Sequence, residues 1–275
     1  MQMANETAII TGSTSGIGKK IAAIFLKEGC KVTICSRNEQ KVNETVSEFK
    51  ETYKEKVIGI PCDVSDIESI KNVVEKTIKE FGSIRILVAN AGLNTTYGPF
   101  EYLSPSQVAS DAQTVLGTNL IGTINAITTV LPYMIPQKYG RIITLTGGGA
   151  DRPLPHMTLY SASKGGVVSF SKCLAEELKE SHEDIKINIF QPGMIETNLG
   201  KNTKLVEGWK EEEEFRRETV QVHQYIGTNI DESCPKIIPY VLPSCKANGK
   251  SFRGFSLVKM IWGGRKLQKM QKKKE

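Results

Sequence analysis

From residue 7 to about residue 190 the chain alternates short β-branched or apolar runs with longer stretches patterned for helix, and this alternation restricts its fold more than any other feature. The short runs cover residues 7–11, 32–36, 57–60, 84–90, 141–146 and 186–191, and most are apolar throughout, as strands are when both sheet faces are covered. Between them, periodicity predicts helices over 17–28, 39–53, 66–81, 105–134 and 158–179. Strands joined by helical crossovers pair in parallel, which makes the expected class α/β, with helices on both faces of one sheet. After Pro192 the pattern loosens. Residues 199–230 are polar, and the run Glu211 to Glu214 followed by Arg216 and Arg217 reads as a solvated helix face. A helix is expected at 232–242, and a last strand at 255–261 after the turn Ala247-Asn248-Gly249. Residues 1–263 are expected to form one domain with a lid-like segment near 195–230, and 264–275 a basic tail; there is no internal repeat.

Charge and composition narrow the function classes. Among 275 residues there is no apolar run near the roughly 18 to 20 that a bilayer-spanning helix needs. The opening MQMANETAII has no basic region of the kind that begins a secretory signal, so a cytoplasmic protein without a membrane partner is expected. The net charge is +6, but residues 264–275 carry +5 of it, leaving the body nearly neutral. A basic face for nucleic acid is therefore not expected, and a frayed, solvated tail is. Cys30, Cys35, Cys62, Cys173, Cys234 and Cys245 lack the close pairing of zinc ligands, so reduced, mostly buried thiols and no metal are expected.

The first chemical signal is Thr11-Gly12-Ser13-Thr14-Ser15-Gly16-Ile17-Gly18, between the first strand and the first helix. Glycines there permit positive φ and close backbone approach, while the helix N-terminus favours an anion such as a pyrophosphate. The end of the second strand then discriminates between nicotinamide cofactors. A carboxylate there accepts from a ribose 2′-hydroxyl, whereas a 2′-phosphate calls for a cation. The residues are Cys35-Ser36-Arg37-Asn38, so NADP(H) is favoured over NAD(H), with Arg37 on the phosphate and Ser36 as a second donor. A third signal follows the fifth strand, in Tyr160-Ser161-Ala162-Ser163-Lys164. The i, i+4 spacing puts Tyr160 and Lys164 on one helical face, where an ammonium favours the phenolate and makes the tyrosine a usable general acid and base.

With Gly12, Gly16, Gly18, Tyr160 and Lys164 in this order, the chain resembles the short-chain dehydrogenase/reductase family over nearly its whole length. Further matching motifs are Asp63-Val64, Asn90-Ala91-Gly92, Asn119-Leu120-Ile121-Gly122 and Pro192-Gly193 followed by Ile195 and Thr197. The resemblance implies a doubly wound Rossmann fold with a seven-stranded parallel sheet, and homodimers or homotetramers built on the long helices. It implies that Ser13, Ser15 and Ile17 line the pyrophosphate, that Asp63 and Val64 contact adenine, and that Asn90, Ala91 and Gly92 border the ribose. Pro192, Gly193, Ile195 and Thr197 would hold the nicotinamide end. Lys164 would also bind the ribose hydroxyls, and Asn119 would support a water in a proton relay. The implied activity is interconversion of a small-molecule carbonyl and its alcohol.

One position departs from the pattern. The family normally has a serine thirteen residues before the tyrosine, and here Gly147 stands in Thr146-Gly147-Gly148-Gly149-Ala150. By analogy with oxyanion donors, its loss costs roughly 100- to 1000-fold in rate, about 3 to 4 kcal/mol. Three readings are open: Thr146 supplies the hydroxyl, the glycines make room for a substrate with its own hydrogen-bonding group or expose backbone N–H, or the protein binds NADP(H) with little turnover. A subset of the family resembling oxoacyl-carrier-protein reductases shares this glycine segment and a late Ile-Trp, as in Ile261-Trp262. The pocket walls expected from strand ends include Asn94, Tyr97, Arg152, His156 and Glu196; Trp209 and Trp262 are expected in core or interface.

Overall fold

The computed structural model describes residues 1–150, 152–181, 184–201 and 203–271. The chain begins with β1 (Thr7–Thr11), α1 (Gly16–Lys27), β2 (Lys31–Ser36), α2 (Glu39–Tyr53), β3 (Val57–Pro61), α3 (Ile67–Phe81) and β4 (Ile86–Ala89). The two-residue β5 (Thr96–Tyr97) precedes α4 (Pro105–Leu116) and α5 (Gly122–Met134), which a π-helical turn at Gly117–Ile121 joins into one long rod. Then come β6 (Gly140–Leu145), α6 (Thr158–Ser181), β7 (Ile185–Gln191), α7 (Asn198–Lys201), β8 (Lys204–Leu205) and α8 (Glu212–Ile226). The chain closes with α9 (Ile230–Ser233), α10 (Ile238–Val241), β9 (Ser251–Arg253) and α11 (Leu257–Gln271).

Seven strands form one parallel sheet in the order β3-β2-β1-β4-β6-β7-β9. Because each strand alternates its side chains across the sheet, β1 sends Ala8 and Ile10 to one face and Ile9 to the other. The first face is closed by α1 through Ile21, Phe25 and Leu26, together with Ile237 and Val241. On the second, Val73 and Val74 of α3, Ile127 and Val130 of α5 and Leu178 of α6 pack against Leu87, Ile142 and Ile187. The expected doubly wound architecture is present. Pro105–Met134 is long and apolar enough to cross a bilayer by length and composition; in this fold it packs against α3 and α6, with 39% of its most apolar stretch buried.

Local signals set the boundaries. Asn38 and Asp66 accept hydrogen bonds from first-turn amides of α2 and α3, and Ser104 with Gln107 forms a reciprocal capping box ahead of Pro105. Two expectations fail. The last strand is Ser251–Arg253, directly after the Asn248-Gly249 turn, and residues 257–271 form a helix rather than a strand at 255–261. The apolar run Phe255 to Trp262 is short enough to read either way; the register of β9 on Ile189, Phe190 and Gln191 uses up the edge before it begins. The helix expected at 232–242 is broken into α9, a 3₁₀ turn and α10, since Pro235 and Pro239 lack the amide protons that a continuous helix needs. The six cysteines are free thiols, and all but Cys173 are buried.

Candidate active site

The chain runs outward through β1, β2 and β3, then crosses to the other side of β1 to start β4, so a crevice opens where the strand order reverses. The glycine loop and Asn90-Ala91-Gly92 meet there. Gly12 has φ +64°, a conformation that side chains strain, and a Cβ on it would lie 2.9 Å from Ala91 Cα. Gly18 lies so close beneath the loop that a Cβ would strike the Gly12 carbonyl oxygen. Asn90 fixes this approach: its Nδ2 donates to Thr11 O (2.8 Å) and Gly12 O (3.0 Å), while the backbone N–H groups of Asn90 and Ala91 donate to Thr11 Oγ1. Ser15 precedes α1 in extended conformation without a capping bond, leaving the first-turn amides, Ile17 among them, for an anion.

Not every expected contact faces this crevice. Ser13 is corrected: its Oγ donates to Ile10 O (2.6 Å) and accepts from Cys35 N (3.1 Å), and its own N–H donates to Cys35 O. Fully buried, it ties β1 to β2 and has no group left for a phosphate. Val64 is also buried, packed against Gly122 of α5. Beyond β2, Ser36 is half-buried and Arg37 exposed. Burial lifts the Asp63 carboxyl, but hydrogen bonds from Ser65 and the nearby Arg37 charge outweigh it and hold the group below its ordinary value. Among the described residues, no side chain hydrogen-bonds or ion-pairs with the Arg37 guanidinium, which acts on Asp63 through its charge alone. On the opposite side of the crevice Thr197 reaches the loop, its Cγ2 lying 3.2 Å from where a Cβ on Gly16 would stand. Pro192 is anchored by Ser233 Oγ, which donates to its carbonyl (2.6 Å); Gly193 has φ +95° and Ile195 is half-buried.

Tyr160 and Lys164 lie one turn apart at the start of α6. The Lys164 ammonium is buried, donates to Leu145 O (3.1 Å) and stands 5.7 Å from the Tyr160 ring centroid. Asn119 is wholly buried in the π-helical turn; its Oδ1 accepts from Leu93 N (2.8 Å), and its Nδ2 donates to Leu93 O (2.9 Å) and Ser163 Oγ (3.0 Å). Ser163 Oγ donates in turn to Tyr160 O (2.7 Å), so a polar chain links Asn119 to the tyrosine backbone. A Cβ on Gly92 would lie 3.3 Å from both Asn119 Oδ1 and Lys164 Nζ, which shows how closely these groups converge. The expected sign at Tyr160 is reversed. Burial pushes its phenol up to about 12 and the Lys164 ammonium down to about 8, in both groups by desolvation.

The missing serine is not replaced by Thr146. That hydroxyl is buried without a hydrogen-bond partner, Tyr160 included, as strand alternation requires of a neighbour one residue earlier. Position 147 does face the tyrosine: a Cβ on Gly147 would lie 2.6 Å from Tyr160 Oη. Behind it Gly149, at φ +93°, lies directly on Ser161 Oγ, a second buried hydroxyl without a partner.

Sequence reasoning missed how the lid is held. β8 pairs in parallel with β5, and Tyr97, His156, Trp209 and Phe215 cluster there. His156 and Trp209 have ring centroids 4.6 Å apart, and Tyr97 and Phe215 4.9 Å. Lys210 lies 5.1 Å from the Trp209 ring centroid and pairs with Glu218 at 2.6 Å. His156 is thus part of the lid's seat. Asn94 is buried and donates to Thr96 O (2.8 Å), while Arg152 and Glu196 are exposed. Trp209 is half-buried among these rings, and Trp262 is 66% exposed on this chain, outside its core.

Residues 6–207 match the family model described as short chain dehydrogenase. The 3-oxoacyl-[acyl-carrier-protein] reductase of Thermotoga maritima is 34% identical over 199 residues, 72% of this chain and 78% of that protein. The 11-beta-hydroxysteroid dehydrogenase-like 3 of Arabidopsis thaliana is 32% identical over 197 residues, which span 72% of this chain but only 61% of that relative. Among solved structures, the 3-ketoacyl-(acyl-carrier-protein) reductase of Brucella melitensis complexed with NADH superposes with a TM-score of 0.76, covering 90% of this chain and 96% of that one at 24% identity. At that identity it shows a shared fold.

Proposed function

The chain belongs to the short-chain dehydrogenase/reductase family of oxidoreductases, and on that premise we propose that it interconverts a carbonyl and a secondary alcohol with NADP(H). The observation that carries this reading is the convergence of Tyr160, Lys164 and Asn119 beside a glycine loop too tight for any side chain. The residues present suit a dinucleotide. Gly12 and Gly18 let the backbone come close, the first turn of α1 offers amides to the pyrophosphate, and Arg37 with Ser36 would take the 2′-phosphate. When bound, the nicotinamide supplies the hydride in reduction and accepts it in oxidation. A phenol raised to about 12 keeps its proton at neutral pH, so Tyr160 Oη is the donor to a substrate carbonyl oxygen in the reducing direction. Lys164 Nζ, lowered to about 8, exchanges protons readily near neutrality and would replenish the tyrosine, with Asn119 ordering the relay. With no side chain at Gly147, where a Cβ would lie 2.6 Å from Tyr160 Oη, the protein supplies no hydroxyl at that position, and a substrate would bring its own hydrogen-bonding group.

The test is NADPH oxidation over a carbonyl panel headed by 3-oxoacyl thioesters, the substrate class in the name of the Thermotoga relative. Tyr160→Phe should lower turnover by about 10²- to 10⁴-fold with cofactor binding retained. The absence of any hydroxyl at Gly147 favours a second reading, a cofactor-binding protein with little turnover. Tight NADPH binding with no Tyr160-dependent oxidation of any substrate would establish that reading instead. For the cofactor, Arg37→Ala should weaken NADPH binding by about 10- to 100-fold and leave NADH binding nearly unchanged. Equal losses by titration calorimetry would refute the 2′-phosphate assignment.

A further inference from the structure

We infer that the outward face of α11 docks this protein on the surface of anionic lipid bilayers. The helix has two unlike sides. Gly263 is buried against α8, where a Cβ would strike the Tyr225 carbonyl oxygen, and Met260 and Leu267 are partly covered on the same side. The opposite side presents Leu257, Val258, Ile261 and Trp262, exposed by 42, 68, 51 and 66%. Helical spacing brings Arg265 and Lys269 onto the same face one and two turns further on, both exposed, with exposed Lys266 flanking. The sequence closes with Lys272-Lys273-Lys274-Glu275, so residues 257–275 hold seven Lys or Arg against one acidic residue. Lys259 holds the start of the helix in place by donating to Gly227 O (2.9 Å).

An exposed tryptophan beside branched aliphatic side chains, continued by cations only, matches the boundary between acyl chains and anionic headgroups. Two other occupants fit less well. A second copy meeting this face about a two-fold axis would set Arg265 and Lys269 near their own equivalents if the helices ran parallel, or beside the other copy's apolar end if antiparallel, and in neither case opposite a carboxylate of this helix. The apolar patch, on the order of 400 Å², is also about half of the ~800 Å² per partner that a stable interface buries. A polynucleotide would suit the cations and Trp262 but leave Leu257, Val258 and Ile261 against a charged backbone. Charge complementarity favours the lipid surface. The expectation of a solvated tail treated the preceding residues as a buried strand; as a helix they carry an apolar face into the basic run. Since α11 lies on α8, docking would turn the lid side of the candidate site toward the bilayer, whatever reaction that site performs.

The full chain should be sedimented with vesicles of phosphatidylcholine alone and with vesicles containing about 30% phosphatidylserine, at about 0.1 M salt. Binding should be at least tenfold stronger to the phosphatidylserine vesicles and fall at 0.5 M salt, where screening shortens the reach of surface charge. The double variant Ile261→Ser/Trp262→Ala should lose at least tenfold in binding, and Arg265→Gln/Lys269→Gln should lose comparably with a shallower salt dependence. All four side chains are exposed, so the melting temperature of each variant should match the parent and separates lost docking from lost folding. Equal sedimentation of parent and variants, or equal binding to neutral vesicles, would overturn the proposal. A solution mass that drops in the Ile261/Trp262 variant without lipid would assign the face to a second copy, and competition by a single-stranded oligonucleotide would assign it to nucleic acid.

Discussion

Lys164 keeps an ammonium where only 5% of its side chain meets solvent, with Leu145 O as its protein acceptor. Below about pH 8 the folded and unfolded chains both hold this proton, and the buried charge weakens the fold by its full amount. Between about pH 8 and 10 the unfolded chain retains the proton that the folded chain has released, so stability rises with pH across that window. Lys164→Met should abolish this rise and stabilise the cofactor-free protein at pH 7 by about 1 to 3 kcal/mol while removing activity. Melting temperatures from pH 7 to 10 decide it, and a variant less stable than the parent at pH 7 would refute it. At this scale the sequence was informative wherever a residue's chemistry and its place in the chain sufficed. Spacing alone brought Tyr160, Lys164 and the glycine loop within one crevice. It failed where direction mattered. Ser13 and Thr146 have hydroxyls at the expected places, but the turn after β1 ties the first to the backbone of Ile10 and Cys35, and the second is buried without a hydrogen-bond partner.

Residues 195–230, the expected lid segment, are held by two residue pairs of β5 and β8, by four clustered rings and by the packing of α8 on α11. Trp209 touches two of those rings and carries Lys210 on its face. Trp209→Ala should therefore raise substrate KM several-fold, leave the melting temperature within a few degrees, and open the 195–230 segment to limited proteolysis. Unchanged KM and an unchanged cleavage pattern would show that the ring cluster does not hold the lid. None of this was visible in the sequence, because Tyr97, His156, Trp209 and Phe215 are separated by up to 118 positions and share no periodicity. The long helices and the six strands of the main sheet between residues 7 and 191 were legible because their side-chain period reports burial directly, whereas the two-residue β5 was not. The region after residue 230 was not, since prolines, an Asn-Gly turn and an apolar run too short to carry a period leave strand and helix undecided. The π-helical turn within 105–134 also escaped notice; its cause is the satisfied Asn119 amide, a contact with Leu93 and Ser163 rather than a sequence pattern.

Across the whole molecule, function and anchoring occupy opposite ends of the sheet. Where β6 begins, Arg141 is wholly buried and donates to the carbonyl oxygens of Asp184, Leu242 and Pro243 and to Asp184 Oδ1 (2.7 Å). Its guanidinium also lies 4.3 Å from the centroid of the Tyr139 ring, with Arg85 3.8 Å from the same centroid. Arg141→Ala would remove every guanidinium bond to Asp184, Leu242 and Pro243, leave Pro243 O without its donor and empty a fully buried site, and should lower stability by about 3 to 5 kcal/mol. The melting temperature should fall on the order of 10 °C with KM unchanged, and a shift under 2 °C would show that the network is dispensable. The two margins of the sheet carry a further consequence. On one side β9 offers three residues, two of them exposed, and on the other β3 ends in Pro61, which has no amide proton to give. Each border is therefore a poor template for a further strand, which lowers the tendency of the sheet to grow edge to edge when the protein is crowded.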